Sequence, residues 1–230
     1  MSSSPASAGS NAHRPAPADP EFEGMFGSYT ITARDRKEVL AYRLALLAVA
    51  MGQLGLLLQW SQLGPALAWP WLLVMAAGLG LALRWIHIYL VPLHRALQLF
   101  WLLGCLGGLG LALRVGPAEL LPTLGRQPLW ILAVGPYFAA LAGVGFKEFF
   151  CFRRPEAIGV TLILPLALLG RMGGLLAPGA TLQLLALESL LLLVLCLRKF
   201  PMAAAADIGD KSVFAHLERQ RQATGAGLAS

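Results

Sequence analysis

Two histidines and a carboxylate are the side chains of this sequence best suited to chemistry. His87 and His94 lie in the segment RWIHIYLVPLHR at the end of one apolar run, and Glu148 lies in FKEFFCFRRPE at the end of another. If both runs are membrane helices ending on the same side, the three side chains could meet there. Two imidazoles and a carboxylate can bind a transition metal, and one histidine can ligate haem iron or, by the same lone pair, chlorophyll magnesium.

We expect Arg84, Lys147 and Cys151 to join this cluster, because each lies one helical turn or less from one of these residues. A structural alternative stays open and is favoured. In that alternative Arg84 and Lys147 neutralise Glu148, while the histidines cap helix ends or contact lipid head groups. Cys151 is a weak nucleophile candidate, because the negative end of a helix disfavours a thiolate. The sequence contains no catalytic motif of the HExxH, CxxC, P-loop or GxGxxG kind in its required context.

Arg171 and Glu188 are charged residues within apolar segments on either side of Pro178-Gly179. If a tight turn at Gly179 joins two antiparallel helices, both residues lie about 10 Å below the outer surface, at about 1.5 Å per residue. A lone charge at that depth is costly and a pair is much less so. We therefore predict a structural ion pair between them, in preference to a transport role.

The composition excludes a water-soluble protein. Of the 230 residues, 57% are hydrophobic and only 13% are charged, and the mean hydropathy is +0.66. Soluble domains carry about 25% charged residues, so this chain cannot cover a water-facing surface. A soluble enzyme and a nucleic-acid-binding protein are both excluded, and the lipid bilayer is the expected partner. Cys105, Cys151 and Cys196 are an odd number without metal-like spacing, so no disulfide framework is implied.

The fold class predicted is all-α: a polytopic membrane protein with a bundle of six transmembrane helices. No charged residue occurs between Arg43 and Arg84. That run is roughly twice the ~20 residues that cross a bilayer, so it must turn, and the polar segment before Pro65 is the place for the turn. The first predicted helix begins at a capping box over Thr32–Asp35 and continues through Val39 to about Leu58. The other five lie at about 69–89, 93–113, 129–149, 158–176 and 181–197. The small-residue faces Gly104-x-x-x-Gly108 and Gly135-x-x-x-Ala139-x-x-x-Gly143 favour close helix packing.

The distribution of basic residues predicts that both termini are cytoplasmic. Every Lys and Arg except Arg114, Arg126 and Arg171 falls on the side of the termini, as the positive-inside rule requires for an N-in, C-in protein. Residues 1–28 are expected to be a disordered tail and 29–200 the six-helix domain. Residues 201–230 are expected to be a cytoplasmic tail with a short amphipathic helix over 212–222. The localisation predicted is a multi-pass membrane protein.

Four segments resemble a known family: ITARDRKEVLAYR, GLGLALRWIHIYLVPLHRALQLFW, FAALAGVGFKEFFCFRRPE and ADIGDKSVFAHL. They are similar to the uncharacterised integral membrane proteins of cyanobacteria and plastids, which are grouped as a domain of unknown function. The resemblance covers about residues 29–217. It implies a multi-span protein of a thylakoid or bacterial plasma membrane, and it supplies no catalytic residue and no cofactor.

Three functions remain open. The first and favoured one is a non-enzymatic accessory, assembly or ligand-binding factor of a photosynthetic membrane, which binds a partner membrane protein, a pigment or a lipid. The second is a membrane enzyme that uses His87, His94 and Glu148 on a lipid or prenyl substrate. The third is a small-solute transporter, which would need more polar midplane residues than Arg171 and Glu188 provide. The cofactor, if there is one, is unknown from the sequence.

Overall fold

A computed structural model describes residues 19–88 and 90–227, without the side chains of 221 and 223–227. Within these ranges the chain consists of a short hairpin followed by helices. The strands are β1 (Glu21–Gly24) and β2 (Gly27–Thr30). The long helices are α1 (Ala33–Leu63), α2 (Trp69–Trp85), α3 (Val91–Val115), α5 (Ile131–Phe152), α6 (Pro155–Met172) and α7 (Pro178–Lys199). Shorter or peripheral helices are α4 (Pro117–Arg126), α8 (Ala204–Ile208) and α9 (Ser212–Gly227), and a 3-10 turn over Pro128–Trp130 leads into α5.

The chain is an all-α polytopic membrane protein, as predicted. In the described part of the chain, five helices are long and apolar enough to cross a bilayer: α1, α3, α5 with its 3-10 turn, α6 and α7. The sixth predicted span corresponds to α2, an apolar helix of 17 residues, at the lower end of the lengths that span a membrane. Leucines and phenylalanines cover the outer surface of the bundle, where lipid would meet them.

The six long helices form a ring in sequence order. Each packs against the next, and α7 packs back against α1. The contact between α2 and α3 is the least extensive in the ring. Those two helices are joined at mid-height, where the Trp101 indole N–H donates to the carbonyl oxygen of Ala76 at 2.8 Å. Beyond that point, toward α4, the two helices leave a gap.

Both ends of the described chain lie on one face of the bundle, called here the terminal face. The backbone N–H of Met25 donates to the Asp210 carboxylate at 2.7 Å, and Lys211 pairs with Asp35 at 2.8 Å. The opposite face carries α4 and the α6–α7 connection and is called the loop face. Six crossings agree with this shared face, while the cytoplasmic orientation of the terminal face stays a prediction.

The N-terminal segment differs from its prediction in part. Residues 1–18 of the predicted disordered tail lie outside the described residues. The last part of that tail instead forms a hairpin, because Phe22 and Tyr29 stack across its strands with centroids 5.7 Å apart and pack beside Ile31, Val39 and Ile208. The Thr32–Asp35 capping box that begins α1 is present as the sequence indicates.

Candidate functional site

A buried ion cluster lies on the terminal side of the bundle, where sequence analysis placed its site. Glu148 of α5 is completely buried. Its Oε2 atom is 2.5 Å from Lys199 Nζ, and its Oε1 atom is 3.1 Å from Lys147 Nζ. The Tyr42 hydroxyl donates to Oε1 at 2.7 Å. Lys147 therefore contacts Glu148 as expected, and Tyr42 of α1 and Lys199 of α7 also belong to the cluster.

Asp207 of α8 completes the cluster from the other side. It is 2.5 Å from Lys199 Nζ and 2.6 Å from the Arg43 guanidinium. Arg43 also donates to the carbonyl oxygen of Met202 at 2.9 Å. The Lys199 ammonium lies 4.5 Å from the centre of the Phe152 ring, a favourable cation–π distance. The cluster thus ties α8 to three membrane helices, and its members are the cations of Arg43, Lys147 and Lys199 and the carboxylates of Glu148 and Asp207.

The other residues of the predicted site are dispersed. The His94 ring donates to the carbonyl oxygen of Leu83 at 2.7 Å and so satisfies the last turn of α2. Burial lowers the pKa of His87, which lies between α2 and α3. Arg84 and Cys151 are exposed. Among the described residues the hydrogen-bond partners of Glu148 are Tyr42, Lys147 and Lys199, so neither histidine contacts it.

The structure does not assemble the predicted metal ligands. Within residues 19–88 and 90–227, no three side chains of His, Cys, Asp and Glu form a group that could hold a metal ion. The physical reason is that the lysines of α5 and α7 occupy both oxygens of Glu148. The cluster as built fastens the bundle, and each of its charged groups pairs with an opposite charge within the cluster.

The predicted ion pair between Arg171 and Glu188 is absent, and each residue has other partners. Arg171 lies one residue before the end of α6 and donates to the carbonyl oxygens of Gly125, at 2.9 Å, and Leu176. Glu188 lies ten positions into α7, which is about 15 Å along its axis. The predicted register assumed that the helix before the turn continued to Leu176. It ends at Met172, so the two residues lie at different depths.

Glu188 pairs instead with Gln53 of α1. The Gln53 side-chain amide donates to Glu188 Oε2, and both side chains are buried. Gln53 Oε1 and Glu188 Oε1 have no hydrogen-bond partner in the described chain. Sequence reasoning missed this pair, although a signal existed: Gln53 is the one amide or charged side chain between Arg43 and Gln59.

A cavity of about 650 Å³ lies beside this pair, in the loop-face half of the bundle. Its walls are nearly all apolar and come from α1 to α7, including α4. The polar side chains among its lining residues are Gln53, Tyr137, Arg171 and Thr181, along with the indoles of Trp60 and Trp69. The volume falls within the ~300–1,000 Å³ of ligand pockets. An apolar wall with a few polar groups is the usual composition of such pockets.

The gap between α2 and α3 connects this cavity with the lipid-facing surface. Leu73 of α2 and Leu109 of α3 line the cavity and are 62% and 56% exposed, respectively. On the terminal side the gap is closed by the contact between Trp101 and Ala76. Tyr137 belongs to the cavity wall and donates to the carbonyl oxygen of Met75 at 2.9 Å. The side between Leu73 and Leu109 is therefore the candidate entrance to the cavity from the bilayer.

Helix α4 covers the cavity on the loop face. The predicted helices leave residues 114–128 as a connection without a helix, but α4 forms there, and its Leu120 and Leu121 turn inward and are buried. Arg171 holds this cover in place through its hydrogen bond to Gly125. The cavity thus borders the lipid-facing surface between α2 and α3 and is covered by α4 at its outer end.

Comparison with known proteins supports the membrane assignment. The model of the family described as uncharacterised integral membrane protein, DUF2301, matches residues 81–216, which run from α2 into α9. No curated protein and no solved structure matches the chain. The matched segment is more than half of the chain, and it includes Glu148, Glu188 and Asp207. The chain therefore belongs to the DUF2301 family of uncharacterised integral membrane proteins.

Proposed function

We propose that this protein is a non-enzymatic accessory factor that binds a lipid-soluble ligand in the cavity between α2 and α3. The observation that carries the proposal is the cavity itself, which is large enough for a ligand, apolar, and open to lipid beside Leu73 and Leu109. A photosynthetic membrane is the setting that the sequence resemblance implies. Lipids and pigments are the ligand classes that such a cavity accepts.

The ion cluster around Glu148 supports binding over catalysis. A catalytic carboxylate needs access to its substrate, whereas Glu148 is completely buried and is held by two lysines. The proposed enzyme using His87, His94 and Glu148 would require these contacts to break. A transporter would require a polar path across the bundle, and the cavity ends at mid-height. We therefore rank both alternatives below ligand binding.

The test uses two substitutions on one helix. In Gly108→Leu the new side chain must enter the cavity, because Gly108 lines it and a Cβ there meets only Val134, at 3.7 Å. Gly110→Leu is the matched control, since a Cβ at Gly110 meets nothing within 4 Å. Both changes replace glycine in a helix and favour the helix by a similar amount.

The experiment is extraction and mass spectrometry of the full-length protein, purified in a mild detergent from its native membrane, with its absorption spectrum. We expect one apolar compound in stoichiometric amount with the wild type and the Gly110 variant, and its loss from the Gly108 variant. The spectrum separates a pigment from a colourless lipid. Wild-type protein without such a compound, or full retention by the Gly108 variant, would refute the proposal.

A further inference from the structure

Gln53 forms a polar end of the cavity and carries an unpaired oxygen. Gln53 is only 3% exposed and lines the cavity. Its amide nitrogen donates to Glu188, while its Oε1 atom has no partner among the described residues. Buried polar atoms are nearly always hydrogen-bonded. An unpaired acceptor on a residue that lines a largely apolar cavity indicates a ligand that donates a hydrogen bond there.

Glu188 holds Gln53 in this orientation. The carboxyl lies on the same face of α7 as two cavity-lining residues, Leu185 one turn away and Thr181 two turns away. By accepting from the amide nitrogen, Glu188 occupies the donor end of Gln53 and leaves its acceptor oxygen without a partner.

The remaining polar groups of the cavity narrow the choice of head group. Arg171 lines the same cavity with its positive charge, which disfavours an ammonium group. The Tyr137 hydroxyl is already engaged, because it donates to the carbonyl oxygen of Met75. A neutral hydroxyl fits this cavity, because it can donate a hydrogen bond to Gln53 and brings no positive charge near Arg171.

Resting on the proposed function, we infer that the ligand is a neutral amphiphile with a hydroxyl head group. Its hydroxyl donates to Gln53 Oε1, and its apolar body fills the cavity toward α4. It enters from the bilayer between Leu73 and Leu109, head group first. Long-chain alcohols, isoprenoid alcohols and quinols have this chemistry. Gln53 is then the residue that distinguishes such molecules from apolar compounds without a donor.

The test compares three probes with one polyene body: retinol, retinyl methyl ether and retinoic acid. Full-length protein in detergent is titrated with each, and binding is followed by quenching of tryptophan fluorescence, because Trp60 and Trp69 line the cavity. The Gly108→Leu protein gives the background from probe dissolved in micelles. We expect retinol to bind about tenfold more tightly than its methyl ether, the ratio expected for one lost hydrogen bond.

Substitution of Gln53 should remove this difference. In Gln53→Leu, retinol and its ether should bind equally. Because this change leaves Glu188 alone in the bundle, the double variant Gln53→Leu with Glu188→Leu provides a second measurement with the whole polar pair removed. Gln98→Leu, an exposed glutamine on α3, is the control and should keep the preference for retinol.

The outcomes separate the two proposals. If no probe binds the wild type above the Gly108→Leu background, ligand binding in the cavity is refuted. If the ether binds the wild type as tightly as retinol, and both exceed that background, the hydroxyl inference is overturned while cavity binding stands. Tightest binding of retinoic acid, lost in Arg171→Gln, would also overturn it, because the head group would then be an acid held at the loop face.

Discussion

The contacts of the ion cluster predict that loss of the Glu148 carboxylate lowers the free energy of unfolding more than loss of Lys199, the most buried cation of the cluster. Glu148→Gln removes the carboxylate that Lys147 contacts and leaves that ammonium against the Tyr42 and Phe152 rings. Lys199→Met has a milder effect. Glu148 then keeps Lys147 and Tyr42, while Asp207 keeps Arg43.

The expected magnitudes follow from these remaining partners. A buried charge left without its partner costs about 3–5 kcal/mol, which is the expected loss for Glu148→Gln. Lys199→Met loses two charge-assisted hydrogen bonds but also removes a completely buried ammonium. We expect a net loss of at most about 2 kcal/mol. The two losses differ because three cations share two carboxylates in the cluster. Removing one cation therefore makes the numbers of positive and negative charges equal.

The assay is reversible unfolding by sodium dodecyl sulfate in mixed micelles, followed by tryptophan fluorescence. Each single variant and the double variant Glu148→Gln with Lys199→Met would be compared with the wild type. We expect a favourable coupling energy between the two positions, as for residues in contact. Equal losses for the two single changes, a larger loss for Lys199→Met, or strict additivity would each refute this description of the cluster.

Three further predictions concern helix packing and the two faces of the bundle. Gly107→Leu should prevent folding, because its Cβ would overlap the backbone of α5 at Ala133, whereas Gly110→Leu should fold with an unfolding midpoint no lower than that of the wild type. The hydrogen bonds from Ser212 and the Met25 N–H lower the pKa of Asp210 below its ordinary value of 3.8. The hydrogen bond from Met25 N–H to Asp210 is therefore fully formed above pH 3.8 and is lost as the pH falls through the lowered pKa. Asp210→Asn should speed hydrogen exchange at the Met25 amide at neutral pH. Unchanged exchange would contradict this. Arg171→Gln should release α4 and increase proteolysis between Pro117 and Arg126, while protection equal to that of the wild type would show that the bond to Gly125 is unimportant.

The membrane class and most helices follow from composition and apolar length, since lipid requires long apolar helices. The absence of charge between Arg43 and Arg84 suffices to predict two helices. The helix bounds are predicted less accurately from the sequence. Because the predicted end of α6 is wrong, the predicted partner of Arg171 is also wrong. One turn of helix changes depth by about 5.4 Å, so a contact prediction across a turn depends on where the helix ends.

The clusters could be predicted only in part, because they join segments far apart in sequence. Adjacency alone predicts Lys147 beside Glu148, whereas Tyr42, Lys199 and Asp207 reach the cluster through the ring closure of α1 against α7. Nothing local to Lys199 indicates that contact. The cavity depends likewise on how α2 and α3 diverge beyond Trp101, which is a property of tertiary packing.

The role of the glycine motifs is likewise predicted correctly at some positions and not at others. The prediction of close packing holds at Gly104, where a Cβ would overlap Tyr137 across the α3–α5 contact. Gly108, from the same motif, faces the cavity, and a Cβ added at Gly135 would meet nothing within 4 Å. Spacing of four residues identifies one helix face. It does not distinguish a face that meets a helix from one that meets a cavity.

Native mass spectrometry of the full-length protein, released from detergent micelles, tests the central claim most directly. The account predicts that the wild type and Gly110→Leu each carry one bound molecule of lipid-like mass, which leaves on collisional activation. It predicts that Gly108→Leu is observed only at the mass of the bare chain. A wild-type protein observed only at its bare mass, or a Gly108→Leu protein with the same bound mass as the wild type, would contradict it.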